Sequence, residues 1–142
     1  MNSSIKKKVL FLCTGNSARS QMAEAIVNAQ LGHIWEAYSA GTRPTGYVHP
    51  MALRVLKEYG ISHNGRSKNL EEFRNQPFDL VVTVCDSAAE ECPIWLGSGK
   101  RVHIGFPDPA KATGSEDEIL EKFRQVRDDI AKKIINLLKQ FS

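Results

Sequence analysis

The stretch VLFLCTGNSARSQMAEA, residues 9 to 25, runs from four apolar residues into a cysteine, then through a short polar loop to an arginine and a helical pattern. That order restricts the fold more than any other feature of the chain. A strand that passes to a helix over so few residues is the first half of a crossover, and crossovers build parallel sheets. The alternation then continues. Val9 to Leu12, Trp35 to Ser39, Leu80 to Val84 and Arg101 to Ile104 read as short strands, each bounded by Gly, Pro or charged residues. Between them, Met22, Ala25, Ile26 and Ala29 read as a helix ending at Gly32. Met51, Val55, Leu56 and Tyr59 read as another ending at Gly60, with glycine again where a C-cap favours it. A last helix carries Ile119, Phe123, Val126, Ile130, Ile134, Leu137 and Phe141 at helical period behind a capping box at Ser115 and Glu118. The expected fold is α/β: a single domain over residues 1 to 142, with a four-stranded parallel sheet and helices on both faces. Ligands in such sheets bind beyond the carboxyl ends of the strands, at a topological switch point.

Cys13 falls at that end of the first strand. Thr14, Gly15, Asn16, Ser17 and Ala18 separate it from Arg19, and Gly15 permits a tight turn. The N–H groups of this loop and the start of the helix near Ser20 can point inward together. A tetrahedral oxyanion would then meet backbone donors, a positive dipole end and the Arg19 guanidinium. The same field favours a thiolate, which makes Cys13 a candidate nucleophile. The alternative is a buried strand-end cysteine followed by an ordinary polar turn. Strand, glycine, arginine and helix in one register argue against it.

Composition narrows the function classes. The chain is 42% hydrophobic and 25% charged, and no apolar run approaches the ~20 residues of a membrane span. The basic start before Val9 leads into a strand-like block with no small-residue cleavage site, so a secretory signal is not expected. A net charge of +3, with Lys and Arg spread along the chain, offers no stripe for nucleic acid. Three cysteines without a framework spacing point to a reducing compartment, the cytoplasm. The four histidines lack ligand spacing, and GSGK at 97–100 precedes a strand without the rest of a nucleotide loop. No metal enzyme is implied.

CTGNSARS resembles the active-site loop shared by low-molecular-weight protein tyrosine phosphatases and the thioredoxin-coupled arsenate reductases built on the same fold. YSAGTRP, HPMALRVLKEYGI, DLVVTVCDSAAEECPIW and GFPDPA follow in the family's order, so the resemblance covers nearly the whole chain. It implies that Cys13 is the nucleophile, that residues 14–20 hold the oxyanion, and that Asp108 is the general acid. Asn16 and Ser20 would hold the loop's shape and tune the thiolate. VCDSAAEEC separates the two branches of the family, because a phosphatase needs neither Cys85 nor Cys92. The reductases it resembles pass a disulfide from the nucleophile to such a pair. Buried, unreactive cysteines are the alternative at either position.

Neighbouring first and third strands would put Cys13 and Cys85 about 5 Å apart, within disulfide range. DSAAEE can begin a short helix capped by Ser87 and Glu90, with Cys85 at its positive end and Pro93 as its stop. Cys85 and Cys92 would then lie roughly 10 Å apart along the helix, so their bond requires it to unwind. Family phosphatases commonly place a tyrosine after the Asp-Pro pair. Here Ala110 stands instead, which suits a small inorganic oxyanion. Some family reductases bind potassium through Asn, Glu, Ser and Asp; Asn16, Glu24 and Ser39 match, but Asn69 replaces the Asp and leaves the set incomplete. The resemblance therefore implies a monomeric arsenate reductase with no bound cofactor, re-reduced by thioredoxin. The alternative is a phosphatase acting on phosphotyrosine or small phosphate esters.

Overall fold

The computed structural model describes residues 5–87 and 90–141. Strand β1, Lys7–Cys13, is the centre of the molecule: its residues 9–13 are all buried, as a parallel strand covered on both faces requires. It is followed by α1, Arg19–Gln30, then β2, Trp35–Gly41, and α2, Pro50–Glu58. Next come β3, Leu80–Thr83, β4, Lys100–His103, and the long α3, Glu116–Gln140. All pairings are parallel and the strand order is β2-β1-β3-β4. The four expected strands are therefore present, within a residue or two at their ends.

Alternation along β1 assigns its side chains to two apolar layers. Val9, Phe11 and Cys13 face α1, α2 and α3, where Phe123, Ile130 and Ile134 of α3 are fully buried. Leu10 and Leu12 face a 3₁₀ turn, Leu70–Phe73, and a tilted aromatic group of Tyr38, Phe73, Phe78 and Trp95. Each such aliphatic or aromatic side chain contributes roughly 1.5–3 kcal/mol by leaving water. Local signals set the helix ends. Ser115 Oγ accepts from Glu118 N–H and Glu118 Oε1 accepts from Ser115 N–H, the box the sequence predicts. Arg127, buried on α3, donates to the Val55 carbonyl at 2.9 Å and ties α2 to α3. No helix among the described residues is long and apolar enough to cross a membrane.

The chain leaves β1 toward β2 on one side and places β3 on the other, so the switch point lies at the carboxyl ends of β1 and β3. Cys13 ends β1, Cys85 follows β3 by two residues, and Asp108 lies on the segment after β4.

Candidate active site

The loop from Thr14 to Ala18 turns its carbonyls outward. Thr14 O accepts from Arg43 N–H at 2.9 Å, Gly15 O from Thr45 N–H at 3.1 Å and from Ser67 Oγ at 3.0 Å, and Ser17 O from His49 N–H at 2.9 Å. Among the described residues, none of the N–H groups of residues 14–18 donates to a protein acceptor. Peptide planes with occupied outer carbonyls present their N–H groups to the opposite, concave side. Asn16 makes the bend with φ 46°, a left-handed conformation that asparagine tolerates better than most residues. The loop also needs Gly41 beside it, because a Cβ there would stand 2.4 Å from Thr14 O.

The buried Cys13 sulfur lies 2.9 Å from Ser20 Oγ. Asn16 Nδ2 donates to the same Ser20 oxygen at 2.8 Å. An amide nitrogen can only donate, so Ser20 Oγ accepts from Asn16 and its hydroxyl hydrogen is free to donate to the sulfur. Asn16 is itself fixed: its Oδ1 accepts from Lys68 N–H at 2.8 Å and from Gln21 Nε2 at 3.0 Å. Gln21 Oε1 in turn meets His63 Nε2 at 2.7 Å. Burial pushes His63 below the ordinary imidazole range, with Glu24 opposing and Lys68 adding to that effect. A neutral imidazole with its hydrogen on Nε2 completes the chain from His63 to Cys13.

A cavity of about 120 Å³ opens over this loop, lined by Cys13, Arg19, Thr45, His49, Asp108 and Ala110 among others. Its size suits a tetrahedral oxyanion. Asp108 Oδ2 is 3.6 Å from an Arg19 nitrogen, and Oδ1 accepts from Ala110 N–H at 3.0 Å, which holds the carboxyl toward the cavity. Burial lowers His49, against the opposing charge of Asp108. Tyr47, to which the sequence assigned no role, and His49, the first residue of the HPMALRVLKEYGI stretch, thus reach the site from the segment before α2.

Arg19 is already engaged by an anion. Its guanidinium forms a two-pronged ion pair with the Glu90 carboxylate and also donates to Phe106 O at 3.2 Å. Thr14 Oγ1 donates to Glu90 Oε1 at 2.7 Å, and Asp86 N–H to Oε2 at 3.1 Å. Burial works against the charged carboxyl, but the bonds from Arg19, Thr14 and Asp86 outweigh it and hold Glu90 at about 2 against an ordinary 4.5. Glu90 therefore takes up the guanidinium face expected to hold an oxyanion.

That contact belongs to a disulfide form of the protein. Cys85 and Cys92 are bonded, with Cα atoms 5.8 Å apart, and Cys13 is free. Glu90 N–H donates to Asp86 O at 2.9 Å, and Glu91 and Cys92 are irregular. Ala88 and Ala89, in the middle of the expected helix, lie outside the described residues. Joining the two sulfurs requires that helix to unwind, and in this disulfide form the Glu90 side chain turns to Arg19.

The matching potassium ligands do not fit a free cation. Ser39 Oγ donates to Glu24 Oε1 at 2.6 Å, and the Lys68 ammonium lies 3.9 Å from the same oxygen. Burial pushes the buried Lys68 ammonium downward, with Glu24 opposing. Asn69 instead caps the 3₁₀ turn, its Oδ1 accepting from Glu71 N–H at 2.9 Å. The positive charge beside Glu24 comes from the chain itself.

A parallel α/β sheet with a cysteine-and-arginine anion pocket at its switch point defines a class of oxyanion-handling proteins built on the strand–loop–helix unit. The chain belongs to the low molecular weight phosphotyrosine protein phosphatase family, whose model matches residues 8–142. It is 48% identical over 130 residues to an arsenate reductase of Halalkalibacterium halodurans, covering 91% of this chain and 93% of that one. An arsenate reductase of Bacillus subtilis is 44% identical over 138 residues, covering 96% of this chain and 95% of the relative. A solved arsenate reductase in its oxidised state superposes with a TM-score of 0.77 at 30% identity, over 96% of this chain and 99% of that one.

Proposed function

We propose that this chain, acting as one domain over residues 1–142, reduces arsenate to arsenite in the cytoplasm. The Cys13 thiolate attacks arsenic while Arg19 and the N–H groups of residues 14–18 hold the oxyanion and Ser20 steadies the sulfur. Asp108 protonates the departing oxygen, which leaves as water. Cys85 then attacks Cys13 Sγ; the arsenic–sulfur bond breaks, its electron pair stays on arsenic, and arsenite leaves. Cys92 attacks Cys85 Sγ, freeing Cys13 and forming the Cys85–Cys92 bond. A dithiol such as thioredoxin reopens that bond, and the four steps together oxidise one dithiol per arsenate.

The observation that carries this reading is the Cys85–Cys92 disulfide at the switch point, just beyond the strand that neighbours the one Cys13 ends. Hydrolysis of a phosphate ester uses neither thiol. The small cavity and Ala110 support an inorganic oxyanion over an aryl phosphate. The test is arsenate-dependent NADPH oxidation with thioredoxin and thioredoxin reductase, run beside aryl phosphate hydrolysis. Arsenate turnover that requires thioredoxin supports the reading. Aryl phosphate hydrolysis without arsenate turnover would replace it with the phosphatase reading.

A further inference from the structure

His103 has no part in the steps above, yet one of its ring nitrogens and the two sulfurs of the Cys85–Cys92 bond lie within 4.8 Å of one another. The ring is held from β3: Nδ1 is 2.7 Å from Thr83 Oγ1, and the two residues are direct partners across β3 and β4. Its other edge lies beside Gly105, where a Cβ would stand 3.2 Å from His103 Nε2 and 2.9 Å from the Cys85 carbonyl oxygen. Only glycine leaves that approach open.

The two sulfurs differ in access. Cys85 is 0% exposed, whereas Cys92 is half-buried and next to exposed Glu91. An external thiolate therefore meets Cys92, and the electron pair of the broken bond is left on Cys85, away from water. A thiolate formed in an apolar site without a proton or a counter-charge is a poor leaving group. His103 is exposed, so its ring can exchange protons with solvent while one of its nitrogens lies within 4.8 Å of this sulfur.

We propose that His103 is a catalytic residue of the reductive half of the cycle, the proton donor to Cys85 when a dithiol opens the Cys85–Cys92 bond. The inference rests on Cys85 and Cys92 being a redox pair, as the functional reading has them. One thiolate of the dithiol bonds to Cys92 Sγ and the Cys85–Cys92 bond breaks. The electron pair goes to Cys85 Sγ, which takes the proton of the His103 imidazolium. The dithiol's second thiol, as thiolate, displaces Cys92 and closes the dithiol's own disulfide. His103 regains its proton from water, and two electrons have passed from dithiol to protein.

The test uses the full chain with the Cys85–Cys92 bond formed and verified by mass spectrometry, opened by dithiothreitol or thioredoxin, and quenched by alkylation. His103→Ala should open about 100-fold more slowly, in the range of a lost general acid. Free imidazole should restore most of that loss, and the equilibrium constant for exchange with dithiothreitol should stay at the wild-type value. His103→Gln, which keeps a polar side chain but carries no transferable proton, should be equally slow and gain nothing from imidazole. Opening of His103→Ala within about threefold of wild type, well short of a lost general acid, overturns the proposal. So does a slow variant that imidazole leaves unchanged, or one whose equilibrium constant moves as far as its rate. Arsenate is absent from this assay, so failure of the wild type to reduce arsenate bears on the functional reading alone.

Discussion

Glu90→Gln should strengthen oxyanion binding to the disulfide form. In that form the carboxylate shares the Arg19 guanidinium, the Thr14 hydroxyl and the Asp86 N–H, so an incoming anion must displace it. The depression of Glu90 from 4.5 to about 2 corresponds to about 3 kcal/mol of preference for the charged, bonded state. The carboxylate keeps a solvent-open side, and screening there reduces the figure to roughly 1–2 kcal/mol. Removing the charge should therefore tighten phosphate or sulfate binding by roughly 5- to 30-fold. A depressed carboxyl contributes fully above its unfolded value, so the contact is complete above pH 4.5 and weakens as pH falls toward 2. The gain should consequently be constant between pH 5.5 and 8. Calorimetric titration of wild type and variant with sulfate, both with the Cys85–Cys92 bond intact, measures it. Equal affinities would refute the reasoning, and a gain that appears only in acid would show that the wrong group had been assigned.

Cys85→Ser and Cys92→Ser should each stop multiple-turnover arsenate reduction while sparing aryl phosphate hydrolysis, because water can resolve a phosphocysteine; parallel assays of the two substrates check this. Gly41→Ala should cost roughly 1–3 kcal/mol of stability by driving a methyl group into the Thr14 carbonyl, measured by urea unfolding. His63, lowered by burial, is neutral in the fold, so its contribution is present above the unfolded value of 6.5 and is lost as pH falls below it. The melting temperature should drop between pH 7.5 and 5.5, and His63→Gln should flatten that drop.

What the sequence made legible was local. The strand, the cysteine loop, the arginine and α1 lie within 24 consecutive positions, and their order alone implied a parallel sheet and an anion at its switch point. Ser115 with Glu118, and the glycines after α1 and α2, could be read for the same reason. Contacts between distant residues were not legible. Glu90 is 71 positions from Arg19, and its polar neighbours suggested a solvated helix instead of a carboxylate turned into the anion site. Lys68 reaches Glu24, and His63 reaches Gln21, only after β2 and the 3₁₀ turn have brought the 60s segment under the loop. His103 looked like one of four scattered histidines until strand pairing set it beside the two sulfurs. The helix expected from Ser87 to Cys92 belongs to the reduced chain, and the Cys85–Cys92 disulfide is the form whose bond requires it to unwind.

The most direct test of the relay is a single turnover. Fully reduced protein is mixed with one equivalent of arsenate in the absence of any dithiol, then quenched, and arsenite and thiol states are measured by mass spectrometry. One arsenite per chain, a Cys85–Cys92 disulfide and a free Cys13 are expected, with Cys92→Ser stopping at a Cys13–Cys85 bond. Three free thiols with no arsenite formed, or arsenite released without the Cys85–Cys92 bond, would contradict it.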